Sequence, residues 1–288
     1  MQKRKWIGSI LLFLLCVGGC GAPVTEAGLF SWKESAITDY ETLFSDMKEL
    51  GMVELYQEIS DDIETEMIKK FLTSASEQEI AVYLLIGEPD WVLEKDAESL
   101  LEEMQRIGEI NELVEETAEL KGVMVDVEPY LLEEWDDERD ELMQCYVDCM
   151  KETYDYATEQ GIEVILCIPY FYDNKGYSGE LETLIAEACD GIAVMNYYRN
   201  MEVAHIEQEV AYAAKYEKDI ITIYEMKEAG SHGLTPQNTY SELGFGKVKD
   251  NFRDVYKAYR KQNIRMAYHD YEAVKEILLQ PETETAEK

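Results

Sequence analysis

Basic residues are scarce: 26 Lys and Arg stand against 61 Asp and Glu in 288 residues, a formal net charge of −35. A surface of that sign repels phosphate backbones and anionic headgroups, and no basic stripe counters it, so nucleic-acid binding is excluded. Histidine is scarcer still. Its three copies, at positions 205, 232 and 269, form no Cys/His spacing of a zinc site. No Gly-x-Ser-x-Gly elbow occurs and no cysteine has basic neighbours to lower its pKa, which removes the serine and cysteine nucleophile classes. A glycine-rich turn is missing after the first apolar run, where Trp32-Lys33-Glu34-Ser35 stands, and this argues against a dinucleotide fold. No cofactor and no metal are expected. A cation would have only the carboxylates Glu88, Asp126, Glu128 and Asp173 to use, with no oxygen-ligand loop beside them.

Apolar runs of membrane-spanning length are also lacking, with one approach to that length at the start, so a polytopic membrane protein is excluded. Lys3, Arg4 and Lys5 precede a short apolar core at 10–17, and Val17-Gly18-Gly19-Cys20 follows. A basic start, a short core and small residues before a cut site describe a secretory signal. The closing cysteine resembles a bacterial lipobox, which implies cleavage after residue 19 and a diacylated Cys20. The expected order is a lipoprotein signal at 1–19, a lipidated tether at 20–26, one domain at 27–280 and a disordered tail at 281–288. The protein is then expected at the outer face of a bacterial cell membrane, held by lipid alone. Cys145, Cys149, Cys167 and Cys189 remain, and they are expected to stay unpaired, since a bridge between residues four apart closes almost no loop.

Between these ends, short apolar runs alternate with acidic amphipathic stretches. The runs fall at 27–32, 52–56, 80–86, 123–128, 163–168, 192–197, 220–224 and 265–268. In 97–120, Leu100, Leu101, Met104, Ile107, Ile110 and Leu113 recur at helical spacing; 137–159 and 248–262 read similarly. Eight strands alternating with helices predict a single (β/α)8 barrel. Chemistry in that fold gathers past the C-terminal strand ends. Those ends carry Trp32, Glu88, Trp91, Asp126, Glu128, Tyr170, Tyr172, Asp173, Asn196, Tyr197, Glu225 and Asp270. Carboxylates, amides and aromatic rings suit a neutral polyhydroxylated ligand, so the expected partner is an oligosaccharide or polysaccharide. The aromatic run Tyr170-Phe171-Tyr172 reads equally well as a stacking platform or as a lid packed on the rim.

Residues 122–129, Gly-Val-Met-Val-Asp-Val-Glu-Pro, are the most informative stretch. Alternation puts Val123, Val125 and Val127 under the helices, and Met124, Asp126 and Glu128 toward the barrel mouth. Two carboxyls side by side out of water raise each other's pKa, and a carboxyl kept protonated near neutrality can protonate a glycosidic oxygen. In strand seven, Ile221 and Ile223 are expected to face the helices, with Glu225 on their side. At the end of strand eight, either His269 or its neighbours Tyr268 and Asp270 face inward.

The fourth strand resembles that of the family 18 glycoside hydrolases, chitinases and related barrels, with their Asp-Gly-x-Asp-x-Asp-x-Glu pattern. Asp126 and Glu128 match its last pair, while Lys121 and Met124 replace its two earlier aspartates. Met195-Asn196-Tyr197-Tyr198 resembles the family's sixth-strand Met-x-Tyr-Asp, with Tyr198 for the acid. The resemblance implies that Glu128 is the general acid, that Asp126 orients an N-acetyl group, and that Tyr197 bonds to the acetamido carbonyl acting as nucleophile. A second resemblance is to the retaining hydrolases that carry Asn-Glu-Pro at strand four and a nucleophilic Glu at strand seven. It assigns Glu128 and Glu225 to those roles: Asp126-Val127-Glu128-Pro129 has the Glu-Pro but lacks the Asn. Trp32, Glu88, Trp91, Tyr170, Tyr172, Asp173, Asn196, Glu225 and Asp270 are then candidates for substrate contact. The missing family acids leave an alternative open, a non-catalytic carbohydrate-binding or solute-capturing lipoprotein on a decayed hydrolase barrel.

Overall fold

A computed structural model describes residues 26–94 and 96–280. The expected signal, Cys20 and the tail at 281–288 lie outside the described residues. Eight parallel strands close into one barrel in sequence order. They are β1 (Ala27–Ser31), β2 (Met52–Gln57), β3 (Ala81–Ile86), β4 (Gly122–Val125), β5 (Glu163–Pro169), β6 (Gly191–Met195), β7 (Asp219–Glu225) and β8 (Ile264–His269). Each overlaps a run read from the sequence, with β4 ending three residues and β6 two residues before the end of its run. Closure between β1 and β8 is made by pairs such as Ala27 with Met266 and Leu29 with Tyr268. No helix among the described residues is long and apolar enough to cross a membrane.

The helical stretches form as their spacing requires. The first becomes the helix Glu98–Asn111, which buries Leu100, Met104, Ile107 and Ile110 on one face, followed by a 3-10 turn at Glu116–Ala118. The other two become Trp135–Gln160 and Gly244–Ala258. All four described cysteines are free; Cys145 is exposed, and Cys149 turns its thiol to the Trp91 carbonyl at 3.7 Å.

Apolar side chains separate into two bodies by strand phase. Phe30, Tyr56, Leu85, Met124, Ile165, Cys167, Met195 and Ile223 belong to a cluster made by strands alone, the barrel interior. Their neighbours of opposite phase, such as Val123, Val125, Ile220 and Tyr224, join the helices in the outer layer. Strand seven therefore runs in the opposite phase to the one expected, with Ile221 and Ile223 pointing inward. Both faces of this parallel strand are apolar, so its sequence offers no contrast from which a phase can be read.

Candidate active site

A cavity of about 380 Å³ opens at the C-terminal end of the barrel, lined by Asp126, Glu128, Tyr130, Leu131, Pro169, Tyr170, Phe171, Met195, Tyr197, Glu225, Lys227, His232, Leu234 and His269. β4 ends at Val125, but the Asp126 amide still donates to the Ile86 carbonyl at 2.8 Å, so strand phase carries on past the strand. Val127 consequently lies in the outer layer, while Asp126 and Glu128 face the cavity.

The two carboxyls shape the electrostatics. Burial, with the charge of Asp126 second, pushes the Glu128 carboxyl up to about 8. Burial also raises Asp126, partly offset by a hydrogen bond from the Cys167 thiol and by His269. One Asp126 oxygen, Oδ1, is buried with no protein partner. The Tyr130 hydroxyl donates to Oε1 of Glu128. Tyr197 also stays a neutral donor, because burial first and Glu225 second hold its phenol well above the ordinary value.

The opposite wall is built by β7, β8 and β1. Glu225 points into the cavity, as the inward phase of Ile221 and Ile223 requires. Its Oε1 accepts from the Lys227 amide at 2.7 Å and its Oε2 lies 3.0 Å from Nδ1 of His269. Trp32 donates from Nε1 to Nε2 of the same imidazole at 3.3 Å. With both carboxylate oxygens engaged, Glu225 is poorly disposed for nucleophilic attack. His269, then, is the inward residue of β8.

Several candidates lie elsewhere. Asp270 turns away from the cavity because it caps the helix Tyr271–Leu279, accepting from the Ala273 amide at 3.2 Å; its other oxygen pairs with Lys227 at 2.9 Å. Asn196 is buried, its amide donating to the Glu202 carbonyl at 2.9 Å and to Thr222 at 3.3 Å, so it ties the loop after β6 to β7. Tyr172 is buried among Tyr130, Tyr146 and Tyr177, because the chain turns under the helix Trp135–Gln160 there. Asp173 starts a 3-10 turn and accepts from the Asn174 amide at 2.6 Å, outside the cavity. The aromatic run divides: Tyr170 and Phe171 line the cavity, and Tyr172 is packed away from it. Trp32, Glu88 and Trp91 line a neighbouring cavity of about 270 Å³, which Trp32 joins to the first through His269. Glu88, Asp126, Glu128 and Asp173 do not converge on a metal site, and no group of His, Cys, Asp and Glu among the described residues does.

Tyr130 and Lys227 were not anticipated from the sequence, and of the two alternatives for the end of β8 it is His269 that faces inward. Both unanticipated residues had a signal. Pro129 opens a turn that returns the next residue toward Glu128, and Lys227 follows Glu225 by two, on the same side of an extended chain.

No protein-family model matches the sequence, and no curated protein does. Among solved structures, the barrel is similar to a chitinase from Bacteroides thetaiotaomicron, with a TM-score of 0.55 and 11% identity over 86% of this chain and 91% of that one. It is similar to the spore cortex-lytic enzyme SleL of Bacillus megaterium QM B1551, with a TM-score of 0.54 and 12% identity over 88% and 73%. A GH18 chitinase from Pseudoalteromonas aurantia gives 0.50 and 12% over 88% and 99%. At such identities the likeness is one of architecture: the chain has the (β/α)8 barrel of chitinase-like glycoside hydrolases.

Proposed function

We propose that the protein is a glycoside hydrolase acting on an N-acetylated oligosaccharide or polysaccharide outside the cell membrane, where a lipid on Cys20 would hold it. The observation that carries this reading is the carboxyl pair at the cavity floor, with Glu128 pushed up to about 8 by burial and by Asp126. An acid of that strength is protonated at neutral pH and still able to release its proton to a leaving oxygen. In the mechanism, the carboxyl of Glu128 protonates the glycosidic oxygen while the acetamido carbonyl of the substrate attacks the anomeric carbon. Asp126 orients the acetamido group, and the Tyr197 hydroxyl donates to its carbonyl. The Glu128 carboxylate then takes a proton from the water that opens the cyclic intermediate. Glu225 is assigned to holding His269 rather than to attack, since neither of its oxygens is free.

The test incubates the protein with chitooligosaccharides and their de-N-acetylated counterparts and follows both products and thermal midpoint. Cleavage of the N-acetylated substrates, lost by about 100-fold or more in Glu128→Gln, is the expected result. Stabilisation without cleavage identifies a binding protein instead; ligand at 100 times its Kd adds about 2.7 kcal/mol.

A further inference from the structure

The Tyr130 ring lies beyond Pro129 in the turn that follows β4, and its place is fixed by packing. It meets Phe171 edge-on at 5.2 Å between centroids, Trp135 at 6.5 Å and Tyr172 at 6.4 Å. Its hydroxyl has two acceptors within reach: Oε1 of Glu128 and the Met195 thioether at 3.9 Å. A thioether sulfur is a weak acceptor, so the phenolic hydrogen belongs to the carboxyl. A tyrosine needed only for packing would have no reason to bring its hydroxyl onto the carboxyl that faces the cavity.

We propose that Tyr130 is a positioning residue that occupies Oε1 of Glu128, leaving Oε2 as the oxygen that carries and delivers the proton. The proposal rests on Glu128 being the general acid. An oxygen that accepts from a fixed donor is a poor place for the carboxyl's own hydrogen, which therefore sits on Oε2. In the reaction that proton passes to the glycosidic oxygen. The bond from the anomeric carbon breaks with its electron pair on that oxygen, and the phenol keeps donating to Oε1 of the carboxylate left behind. Tyr130 loses no proton at any step.

Other groups near Glu128 do not perform this role. Asp126 lies on the same strand extension, Cys167 and Tyr172 approach from β5 and the loop after it, and Tyr197 from the end of β6. Burial raises the thiol of Cys167 and the phenols of Tyr172 and Tyr197, so all three are neutral. Asp126 acts on Glu128 through charge.

Tyr130→Phe is the test, because it keeps the ring and its packing and removes one oxygen. The expected result with a cleaved chitooligosaccharide is a kcat at least about tenfold lower with KM changed less than about twofold. The alkaline limb of kcat should move up by about one pH unit, as expected when a carboxylate loses a donor. A parallel titration uses carboxyl-labelled glutamate and carbon NMR, with Glu128→Gln to assign the resonance. If no substrate is cleaved by the wild type, the hydrolase reading fails while the titration still decides the role of Tyr130. An upward shift of the Glu128 midpoint in Tyr130→Phe supports the proposal. An unchanged midpoint, or an unchanged kcat in an active enzyme, overturns it.

Discussion

Glu225 and His269 end neighbouring strands with Oε2 of one 3.0 Å from Nδ1 of the other, and this contact sets the state of the imidazole. The neutral ring carries its hydrogen on Nδ1, toward the carboxylate, which leaves Nε2 to accept from Trp32. Burial opposes a second proton, but the hydrogen bond and charge of Glu225, with Asp270 adding and Lys227 subtracting, raise the pKa above the ordinary imidazole value. That second proton lands on Nε2 and displaces the indole.

The fluorescence of Trp32 should therefore report this titration. In the wild type a step is expected with its midpoint above that of free imidazole, and Trp32→Phe should remove it. Glu225→Gln takes away the counter-charge and leaves the burial, so the midpoint should fall below the ordinary value. A midpoint that does not move would show that Glu225 does not govern His269.

Stability should fall as pH rises from about 5 to above 8. Glu128 and Glu209 are both pushed up to about 8, foremost by burial, so between the unfolded carboxyl range and about pH 8 the native state binds more protons than the unfolded chain. Their contribution is complete below the unfolded pKa and is lost as pH climbs through the folded one, on the order of a few kcal/mol across the window. Self-repulsion from the net charge of −35 works in the same direction. Thermal midpoints measured between pH 5 and 8.5 should decline steadily; a maximum near pH 8 contradicts the assignment.

Glu209 offers a cleaner check because it lies away from the cavity. It is fully buried in the helix Glu207–Tyr216, and neither carboxyl oxygen has a protein partner. Such a carboxyl stays neutral, and its cost grows once the pH favours ionisation. Glu209→Gln keeps the shape and cannot ionise. It should match the wild type within about 0.5 kcal/mol at pH 5 and exceed it by about 1 kcal/mol or more at pH 8.5. Denaturant midpoints at the two pH values decide it, and equal differences at both would refute the buried-acid account.

What the sequence disclosed follows from where contrast exists along it. All eight strands were legible because each is an apolar run between polar helices, and the phase of β4, though not its end, was legible because Asp126 and Glu128 interrupt one face only. β7 has Ile220, Ile221, Ile223 and Tyr224 on both faces, and its phase emerged only from the closed barrel. Asp270 and Asn196 stood at the right strand ends but were drawn into a helix cap and a loop tie, local demands that strand-end position does not reveal. Tyr130 entered the site through a turn, and its meeting with Glu128 depends on backbone geometry after Pro129 rather than on strand spacing.

The approach of β3 to β4 makes a final prediction, because the same substitution should act in opposite directions at two glycines. A Cβ on Gly87 would lie 2.0 Å from the Asp126 carbonyl oxygen and 2.4 Å from its carbon, both backbone atoms that no rotamer change can move. Gly87→Ala must therefore separate the two strands where the Asp126 amide reaches the Ile86 carbonyl, and it displaces the carboxyl pair with them. At Gly108, in the helix Glu98–Asn111, an added Cβ would meet nothing within 4 Å, so alanine there brings no clash and removes the entropy penalty of a helical glycine. The expected outcome is a loss of about 1–3 kcal/mol for Gly87→Ala and a gain of about 0.5–1 kcal/mol for Gly108→Ala, read from denaturant midpoints. In an active enzyme, Gly87→Ala should also lower kcat by more than it changes KM, since a displacement of about 1 Å at the acid costs rate before it costs binding. Equal stability in the two variants would mean that β3 does not hold Asp126 in place.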